Sequence, residues 1–298
     1  MRVGIIGLGL IGGSMAIDLK RKGFASEVLG VEAEPVNAAA AEKIGLVDRV
    51  VSYEDCIMSS DIVVLAVPVG SAVKMLPDIL DRFARKAAGM DQGVGQDSPS
   101  GSSRQIVIDV CSTKEHLVRS VKYHPARRQY VATHPMAGTE YSGPWAAMPG
   151  LFDGHAGIIC DAEESDPKAV KTVERLYEAL NMRTIYMNSS NHDVHTAYVS
   201  HISHVTSFAL ALTVLDKEKD EKHIFDLASG GFSSTVRLAK SSPDMWTPIL
   251  TQNSDNVLHV IDTYIEKMQA FRKAIAEGDE DSIRELIAES NKIRRIIR

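Results

Sequence analysis

The chain has 298 residues, of which 44% are hydrophobic and 24% charged, and its formal net charge is −6 at pH 7. This length is sufficient for two domains, and this composition is typical of a soluble globular protein. The acidic balance, without any run of Lys and Arg, argues against a general nucleic-acid-binding surface.

No signal peptide precedes the first apolar stretch, and no continuous apolar run approaches the ~20 residues that a membrane span needs. The three cysteines, Cys56, Cys111 and Cys160, are isolated and have no paired spacing. Isolated cysteines without paired spacing indicate reduced thiols rather than disulfides. Reduced thiols are typical of cytoplasmic proteins, in which disulfides are rare. We therefore expect a cytoplasmic protein without a membrane partner.

The first element is an apolar run at residues 3–6, which predicts a buried strand leading into Gly7-Leu8-Gly9-Leu10-Ile11-Gly12 and then a helix. In a dinucleotide-binding turn, Gly7 permits the tight turn, Gly9 lets the backbone approach a pyrophosphate, and Gly12 lets helix pack on strand. The N–H groups at the helix start face the phosphate charge. The predicted cofactor-binding residues of this turn are Gly7, Gly9, Leu10, Ile11 and Gly12. The alternative is an ordinary strand–turn–helix unit.

A second predicted strand, residues 28–31, ends at Glu32. An acid about twenty residues past the glycines usually holds the ribose hydroxyls of the cofactor. A carboxylate there repels a 2′-phosphate, and no Arg or Lys follows it in Ala33-Glu34-Pro35. The sequence therefore predicts NAD rather than NADP, unless Glu32 is only a solvated surface acid.

Strand and helix patterns alternate up to about residue 187. Further strands are predicted at residues 62–67, 106–110, 130–133, 157–160 and 183–186, and helices at residues 35–44, 71–87 and 167–180. The last helix has Asp166 as its N-cap and Pro167 at its first position. This alternation predicts a Rossmann-type, doubly wound parallel sheet that forms an NAD-binding domain at residues 1–187. The Gly- and Ser-rich segment near residues 88–104 predicts a mobile surface loop.

From residue 188 to residue 298 the pattern is helical only, which predicts a second, all-helical domain. The segment from Phe208 to Leu212 is apolar all round, so we expect its helix to be deeply buried. Two further apolar stripes lie within residues 257–275 and 283–297. These faces exceed what one small helical layer can bury, so we predict a homodimer whose helical domains interlock. A monomeric bundle packed on the first domain is the alternative.

Ligands of a doubly wound sheet bind beyond the C-terminal ends of its strands. Three segments follow predicted strands in this way: Val67-Pro68, residues 111–114 and residues 134–140. We assign Val67 and Pro68 to the cofactor site. His134 is the strongest catalytic candidate, because the following proline fixes its backbone and a neutral imidazole can accept a proton from an alcohol. A strand-end histidine that caps a carbonyl is the alternative.

Ser112 opens a Ser-Thr-Lys-Glu stretch that is typical of a capping box, with Ser112 at the N-cap and Glu115 three residues on. An N-cap beside the nicotinamide could also serve catalysis. His192, His195, His201 and His204 resemble a metal cluster, but no Cys or carboxylate set completes a site with known ligand spacing. His201 and His204 lie one helical turn apart and could instead bind a substrate carboxylate.

A glycine-hinged helix start at Gly230-Gly231 precedes Arg237. Arg237 could clamp a carboxylate through two guanidinium nitrogens, or it could form a surface salt bridge. Trp246 could wall an apolar pocket or belong to the core.

Together these segments resemble the prephenate/arogenate dehydrogenase family of tyrosine biosynthesis, over essentially the whole chain. The segments that carry the resemblance are residues 7–14, 66–68, 109–114, 134–140, 200–204, 230–232 and 237–246. The His-Pro-Met-Ala-Gly stretch that begins at His134 and the stretch from Arg237 to Trp246 are specific in combination.

This resemblance implies a Rossmann domain, a helical dimerisation domain and NAD-dependent oxidative decarboxylation of prephenate to 4-hydroxyphenylpyruvate. It implies that His134 accepts the ring hydroxyl proton as hydride leaves the same carbon, that Ser112 supports His134, and that Arg237 binds a substrate carboxylate. The other predicted substrate-binding residues are His204 and Thr139 in the pocket, Glu140 at its entrance, Gly230 and Trp246.

Three alternatives remain open. Ser203 stands where the family usually has proline, and Ser233-Ser234 also departs from its pattern, so arogenate stays an alternative substrate. A β-hydroxyacid dehydrogenase typically uses a Lys on its long helix, and residues 198–212 contain none. A non-catalytic NAD-sensing protein would keep the glycines and Glu32 but would not need His134 together with Arg237.

Overall fold

The structure is a computed structural model that describes residues 1–89, 105–218 and 224–295. Most of the predicted loop near residues 88–104 therefore lies outside the described residues.

A single eight-stranded sheet organises the first part of the chain, in the order β3-β2-β1-β4-β5-β6-β7-β8. The strands are β1 (Arg2–Ile6), β2 (Glu27–Val31), β3 (Arg49–Val50), β4 (Ile62–Leu65), β5 (Ile106–Asp109), β6 (Tyr130–Pro135), β7 (Ala156–Cys160) and β8 (Arg183–Met187). Neighbours from β3 to β6 pair in parallel.

The predicted parallel sheet is confirmed for most of its strands, and one edge departs from it. Strand β7 pairs antiparallel with β6, and β8 follows β7 in parallel. A parallel neighbour requires a crossover, usually through a helix. Between β6 and β7 the chain forms only a short 3₁₀ turn, Pro144–Ala146, so it returns in the opposite direction.

Helices cover both faces of the sheet. They are α1 (Leu10–Arg21), α2 (Pro35–Lys43), α3 (Tyr53–Ser59), α4 (Val69–Ala87), α5 (Glu115–Ser120) and α6 (Pro167–Ala179). Alternate residues of one strand, such as Ile62 and Val63 in β4, enter two different apolar clusters on opposite faces. This arrangement confirms the doubly wound fold. The predicted Asp166 cap of α6 is also confirmed, because its carboxylate accepts the Lys168 N–H.

The second part of the chain is helical. Its helices are α7 (Ser189–Thr196), α8 (Ile202–Glu218), α9 (Gly230–Val236), α10 (Pro243–Gln252), α11 (Ser254–Glu277) and α12 (Glu280–Ser290). A π-helical turn, Ala197–His201, joins α7 to α8 without a break. Insertions of this kind are frequent at functional sites.

The expected deep burial of the long helix is wrong for the single chain. Leu212 is 62% exposed and Leu215 is 49% exposed, and Ile265 and Met268 of α11 are also exposed. By length and hydropathy the continuous helix over Ser189–Glu218 also passes the criterion for a membrane span, and 11% of its most apolar window is buried. The helical part thus presents apolar surface that the described residues of this chain do not cover.

Candidate active site

The glycine turn lies between β1 and α1. Gly7 has φ +97°, and a Cβ there would lie 2.3 Å from the Ala66 carbonyl oxygen. A Cβ on Gly12 would lie 2.0 Å from the Gly7 oxygen, whereas one on Gly9 would meet nothing nearer than 3.9 Å. The packing of the chain itself therefore requires Gly7 and Gly12. Gly9 borders open space, which fits the close approach of a dinucleotide pyrophosphate.

Glu32 reaches this turn from the end of β2. Its carboxylate accepts the N–H of Leu8 at 3.0 Å and that of Glu34 at 3.2 Å. Helix α1 starts at Leu10 without a side-chain cap, so its first N–H groups are available to phosphate oxygens. These residues, including half-buried Ile11, fit a dinucleotide with a free 2′-hydroxyl.

The end of β4 borders the same turn. A Cβ on Gly7 would lie 3.1 Å from a methyl group of Val67. Pro68 follows as the N-terminal cap residue of α4. Both predicted residues thus lie at the strand end beside the glycines, where the sheet order reverses direction from β1 to β4.

A buried ionic cluster fixes the end of β5. Asp109 and Lys114 are fully buried and form an ion pair, and the Asp109 carboxylate also accepts the Tyr130 hydroxyl at 2.7 Å. Burial opposes the charge on Lys114, but the attraction of Asp109 together with that of nearby Cys111 leaves the pKa of the ammonium raised. The cluster holds the segment after β5 against β6, which carries His134.

His134 lies near the end of β6 and is almost fully buried. Its Nδ1 is 2.8 Å from Nε2 of His192, and Nδ1 of His192 is 2.7 Å from the Asp193 carboxylate. Burial first, and then repulsion from the charges of His192 and Lys114, lowers the pKa of His134 well below its ordinary value. His134 is therefore neutral near pH 7, the state that a proton acceptor needs.

The predicted capping box at Ser112 is wrong. Helix α5 begins at Glu115, and its N-cap residue is Lys114, whose side chain makes no cap bond. The cap comes from another helix, because the Asp193 carboxylate accepts the N–H groups of Lys114 at 2.8 Å and Glu115 at 2.9 Å. A long-range acceptor has replaced the local one. Ser112 is half-buried beside this junction, and no described hydrogen bond joins it to His134.

A second group of side chains surrounds Trp246. His204 stacks on this indole with ring centroids 3.5 Å apart, and His201 meets it edge-on at 5.9 Å. The Trp246 Nε1 and His201 Nε2 atoms are buried and lack hydrogen-bond partners among the described residues. Buried polar atoms normally bond to ligand or water when the protein supplies no partner. Trp246 and His204 thus form an apolar wall with polar atoms available to a ligand.

Arg237 approaches the segment that follows β6. Its guanidinium donates to the Glu140 carboxylate at 2.7 Å, and the Arg237 side chain is 49% exposed. Burial, and to a smaller extent the positive charge of Arg237, lowers the pKa of His204. Thr139 precedes Glu140 and accepts the Tyr141 N–H at 3.3 Å, whereas Gly230 is exposed at the start of α9.

Sequence reasoning missed Asp193 and Asn253 of this arrangement, and it considered His192 only as a metal ligand, not as a partner of His134. Asn253 donates to the Asp193 carbonyl at 2.7 Å and to Nδ1 of His201 at 3.2 Å, so it joins the two groups of side chains. A signal was available in the adjacent His192 and Asp193 near a helix start. Their partner, His134, is 58 residues away in sequence, so local patterns could not reveal it.

Comparisons with known proteins agree along nearly the whole chain. The model of the prephenate dehydrogenase nucleotide-binding domain matches residues 15–100 and 98–186, and that of the prephenate dehydrogenase dimerization domain matches residues 188–289. A prephenate dehydrogenase from Bacillus subtilis is 30% identical over 282 residues, which are 94% of this chain and 71% of that protein.

Two solved structures are similar over almost their full length. The prephenate dehydrogenase of Aquifex aeolicus, in complex with hydroxyphenyl propionate and NAD+, has a TM-score of 0.81 at 29% identity and covers 99% of this chain and 97% of its own. The arogenate dehydrogenase of Synechocystis has a TM-score of 0.72 at 25% identity and covers 99% of each chain.

Proposed function

This chain belongs to the prephenate dehydrogenase family, and on that premise we propose that it oxidises prephenate with NAD+ to 4-hydroxyphenylpyruvate, CO2 and NADH. It is an NAD-dependent oxidoreductase of tyrosine biosynthesis. The observation that carries the assignment to this site is a buried neutral imidazole, His134, six residues before Glu140, which holds the guanidinium of Arg237.

The cofactor lies along the glycine turn in this proposal. Gly7, Gly9 and Gly12, with the N–H groups at Leu10 and Ile11, hold the pyrophosphate, and Glu32 accepts the ribose hydroxyls. Val67 and Pro68 border the nicotinamide end. When bound there, NAD+ supplies the hydride acceptor.

The substrate is a small dianion with a ring alcohol. Arg237 pairs with one carboxylate, and Glu140, its present partner, moves aside at the pocket entrance. Trp246, His204, Thr139 and Gly230 shape the pocket around the ring.

His134 accepts the hydroxyl proton at Nε2 as the hydride leaves the same carbon. The hydroxyl carbon becomes a carbonyl. As the C–C bond to the ring carboxylate breaks and CO2 leaves, its electron pair makes the ring aromatic and the carbonyl oxygen becomes a phenolate, which takes the proton back from His134. Formation of the aromatic ring makes the overall reaction strongly downhill. In this proposal Ser112, half-buried just before the start of α5, supports the substrate hydroxyl. A positioned general base of this kind contributes about 10²–10⁴-fold.

We also propose a cytoplasmic homodimer formed through residues 188–298, with residues 1–187 as the NAD-binding domain. Exposed apolar side chains on α8 and α11 support this arrangement, as does the dimerization-domain match over residues 188–289. A second copy of the chain accounts for the apolar length of the Ser189–Glu218 helix without a membrane. Nucleic acid has no part in the proposal.

The direct test is NADH production with prephenate and with arogenate in parallel. We expect turnover with prephenate. Turnover with arogenate alone would identify the alternative substrate, and turnover with neither would contradict the proposal.

The test of the base is His134→Asn. It should lower kcat by about 10²–10⁴-fold and leave the Kd for NAD unchanged, whereas His116→Asn on the exposed side of α5 should change neither. Unchanged turnover in His134→Asn would remove the role given to this residue.

A further inference from the structure

We propose that His192 and Asp193 are positioning residues that hold His134 in the one neutral tautomer able to accept the substrate proton. The catalytic role in this inference rests on the proposed function, whereas the tautomer itself follows from the hydrogen bonds. The three side chains form a continuous buried line from the Asp193 carboxylate through His192 to His134, with separations of 2.7 Å and 2.8 Å.

The direction of the hydrogen bonds follows from the carboxylate end. An ionised carboxylate only accepts, so Nδ1 of His192 must donate to Asp193. A neutral His192 then carries no proton on Nε2, which must accept from Nδ1 of His134. A neutral His134 in turn carries no proton on Nε2. Nε2 of His134 is the nitrogen that accepts the substrate proton in the proposed function. It therefore carries a free lone pair, as a general base requires.

Backbone groups hold the Asp193 carboxylate in place. One of its oxygens accepts the N–H of Lys114 and the other accepts the N–H of Glu115. The side-chain amide of Asn253 donates to the backbone carbonyl oxygen of Asp193 at 2.7 Å. Both carboxylate oxygens therefore accept from donors that cannot reverse their direction, which keeps Asp193 an acceptor towards His192.

The proton balance is simple. The substrate hydroxyl proton moves to Nε2 of His134, which becomes a cation. Its Nδ1–H stays hydrogen-bonded to neutral His192, and the charge of Asp193 stabilises the new cation through that ring. When CO2 has left the ring, Nε2 of His134 returns this proton to the phenolate oxygen, so no oxidant other than NAD+ and no further proton donor is involved. In hydrolytic triads an aspartate accepts a hydrogen bond from the catalytic histidine and so orients its ring. Here the imidazole of His192 lies between the aspartate and the catalytic histidine.

Nitrogen-15 NMR of histidine-labelled resting protein tests the tautomers without substrate or turnover. Spectra of His134→Asn and His192→Gln assign the two rings. We expect His134 to be protonated at Nδ1 and bare at Nε2, although Nε2–H is the commoner tautomer of histidine in water, and His192 to have the same pattern. A proton on Nε2 of His134 would overturn the inference whatever the enzyme turns over.

Kinetics of paired variants test the functional consequence. His192→Phe removes the acceptor, so we expect kcat for prephenate to fall about 10²-fold with KM little changed, and His134 to shift to the Nε2–H tautomer. His192→Gln keeps an acceptor oxygen and should recover most of the loss. His195→Gln, at an exposed position of the same helix, is the matched control and should leave kcat unchanged.

The outcomes separate the two proposals. Equal kcat losses in His192→Gln and His192→Phe would reduce His192 to a packing residue and overturn the inference. A wild-type protein that turns over neither prephenate nor arogenate contradicts the proposed function, while its NMR spectrum still decides the tautomers.

Discussion

At the residue scale, the chemistry depends on the protonation of one buried side chain. Burial, followed by the charges of His192, Lys114 and His201, lowers the pKa of His134 well below 6.5. Proton acceptance needs the neutral form, which is fully present above that pKa and is lost as the pH falls through it. His134 and His192 are coupled, so the measured value belongs to the pair.

The pH dependence of kcat/KM for prephenate is therefore predicted. We expect its acidic limb below pH 6.5, because kcat/KM reports the free enzyme and prephenate stays ionised over that range. The residual activity of His134→Asn should lack this limb. An acidic limb centred above pH 6.5 in the wild type would contradict the neutral, buried base.

Arg237 is the second residue with a separable role. Arg237→Ala should raise KM for prephenate about 10- to 100-fold, because a hydrogen bond to a charged group is worth about 1.5–3 kcal/mol. Steady-state kinetics measure this change, and Arg85→Ala at the exposed end of α4 is the control. If KM stays the same, Arg237 forms only the surface ion pair with Glu140.

At the element scale, the glycine turn separates folding from binding. A Cβ on Gly12 meets backbone at 2.0 Å, so Gly12→Ala should lower the free energy of unfolding by at least about 1–3 kcal/mol. Gly9→Ala has 3.9 Å of clearance, so its unfolding midpoint should match the wild type. Its Kd for NAD should rise at least about tenfold, equal to about 1.4 kcal/mol.

Thermal unfolding and NAD titration of the two variants test this pair of expectations. Each variant acts as the control for the other, since both add one methyl group to the same turn. A stable Gly9→Ala protein with wild-type NAD affinity would show that the cofactor does not approach the turn there.

Elements were predictable where their signals are local. The Asp166 cap and Pro167 determine where α6 begins, and the observed helix starts at Pro167. The cap of α5 was not predictable in the same way, because the acceptor that satisfies its N–H groups belongs to Asp193 on α7. The antiparallel direction of β7 was missed for a related reason, since its pairing with β6 is a tertiary contact.

At the scale of the whole molecule, the exposed apolar face of the helical part predicts association. Leu212→Lys should break the homodimer into single chains, because a buried, unpaired charge at an interface is costly. Light scattering measures the mass, and Tyr123→Lys, at a 90% exposed site outside the helical part, is the control. A dimeric Leu212→Lys protein would place the interface elsewhere.

The amino-acid sequence by itself determined the glycine turn, the alternation of strands and helices except for β3 and α3, the preference for NAD and the candidates His134 and Arg237. These features depend on local backbone conformation, on short motifs and on hydrophobic periodicity, all of which can be read from residues close together in sequence. The division at residue 187 and the roles of the site residues remain predictions.

Only the tertiary structure decided how His134 is oriented. His192 and Asp193 reach it through contacts between segments 58 or more residues apart, and Asn253 joins them from farther still. Hydrogen bonds between such distant segments depend on how whole elements pack, so the spacing of residues along the chain does not predict them. The same packing left the α8 face exposed although its sequence resembles a buried core helix.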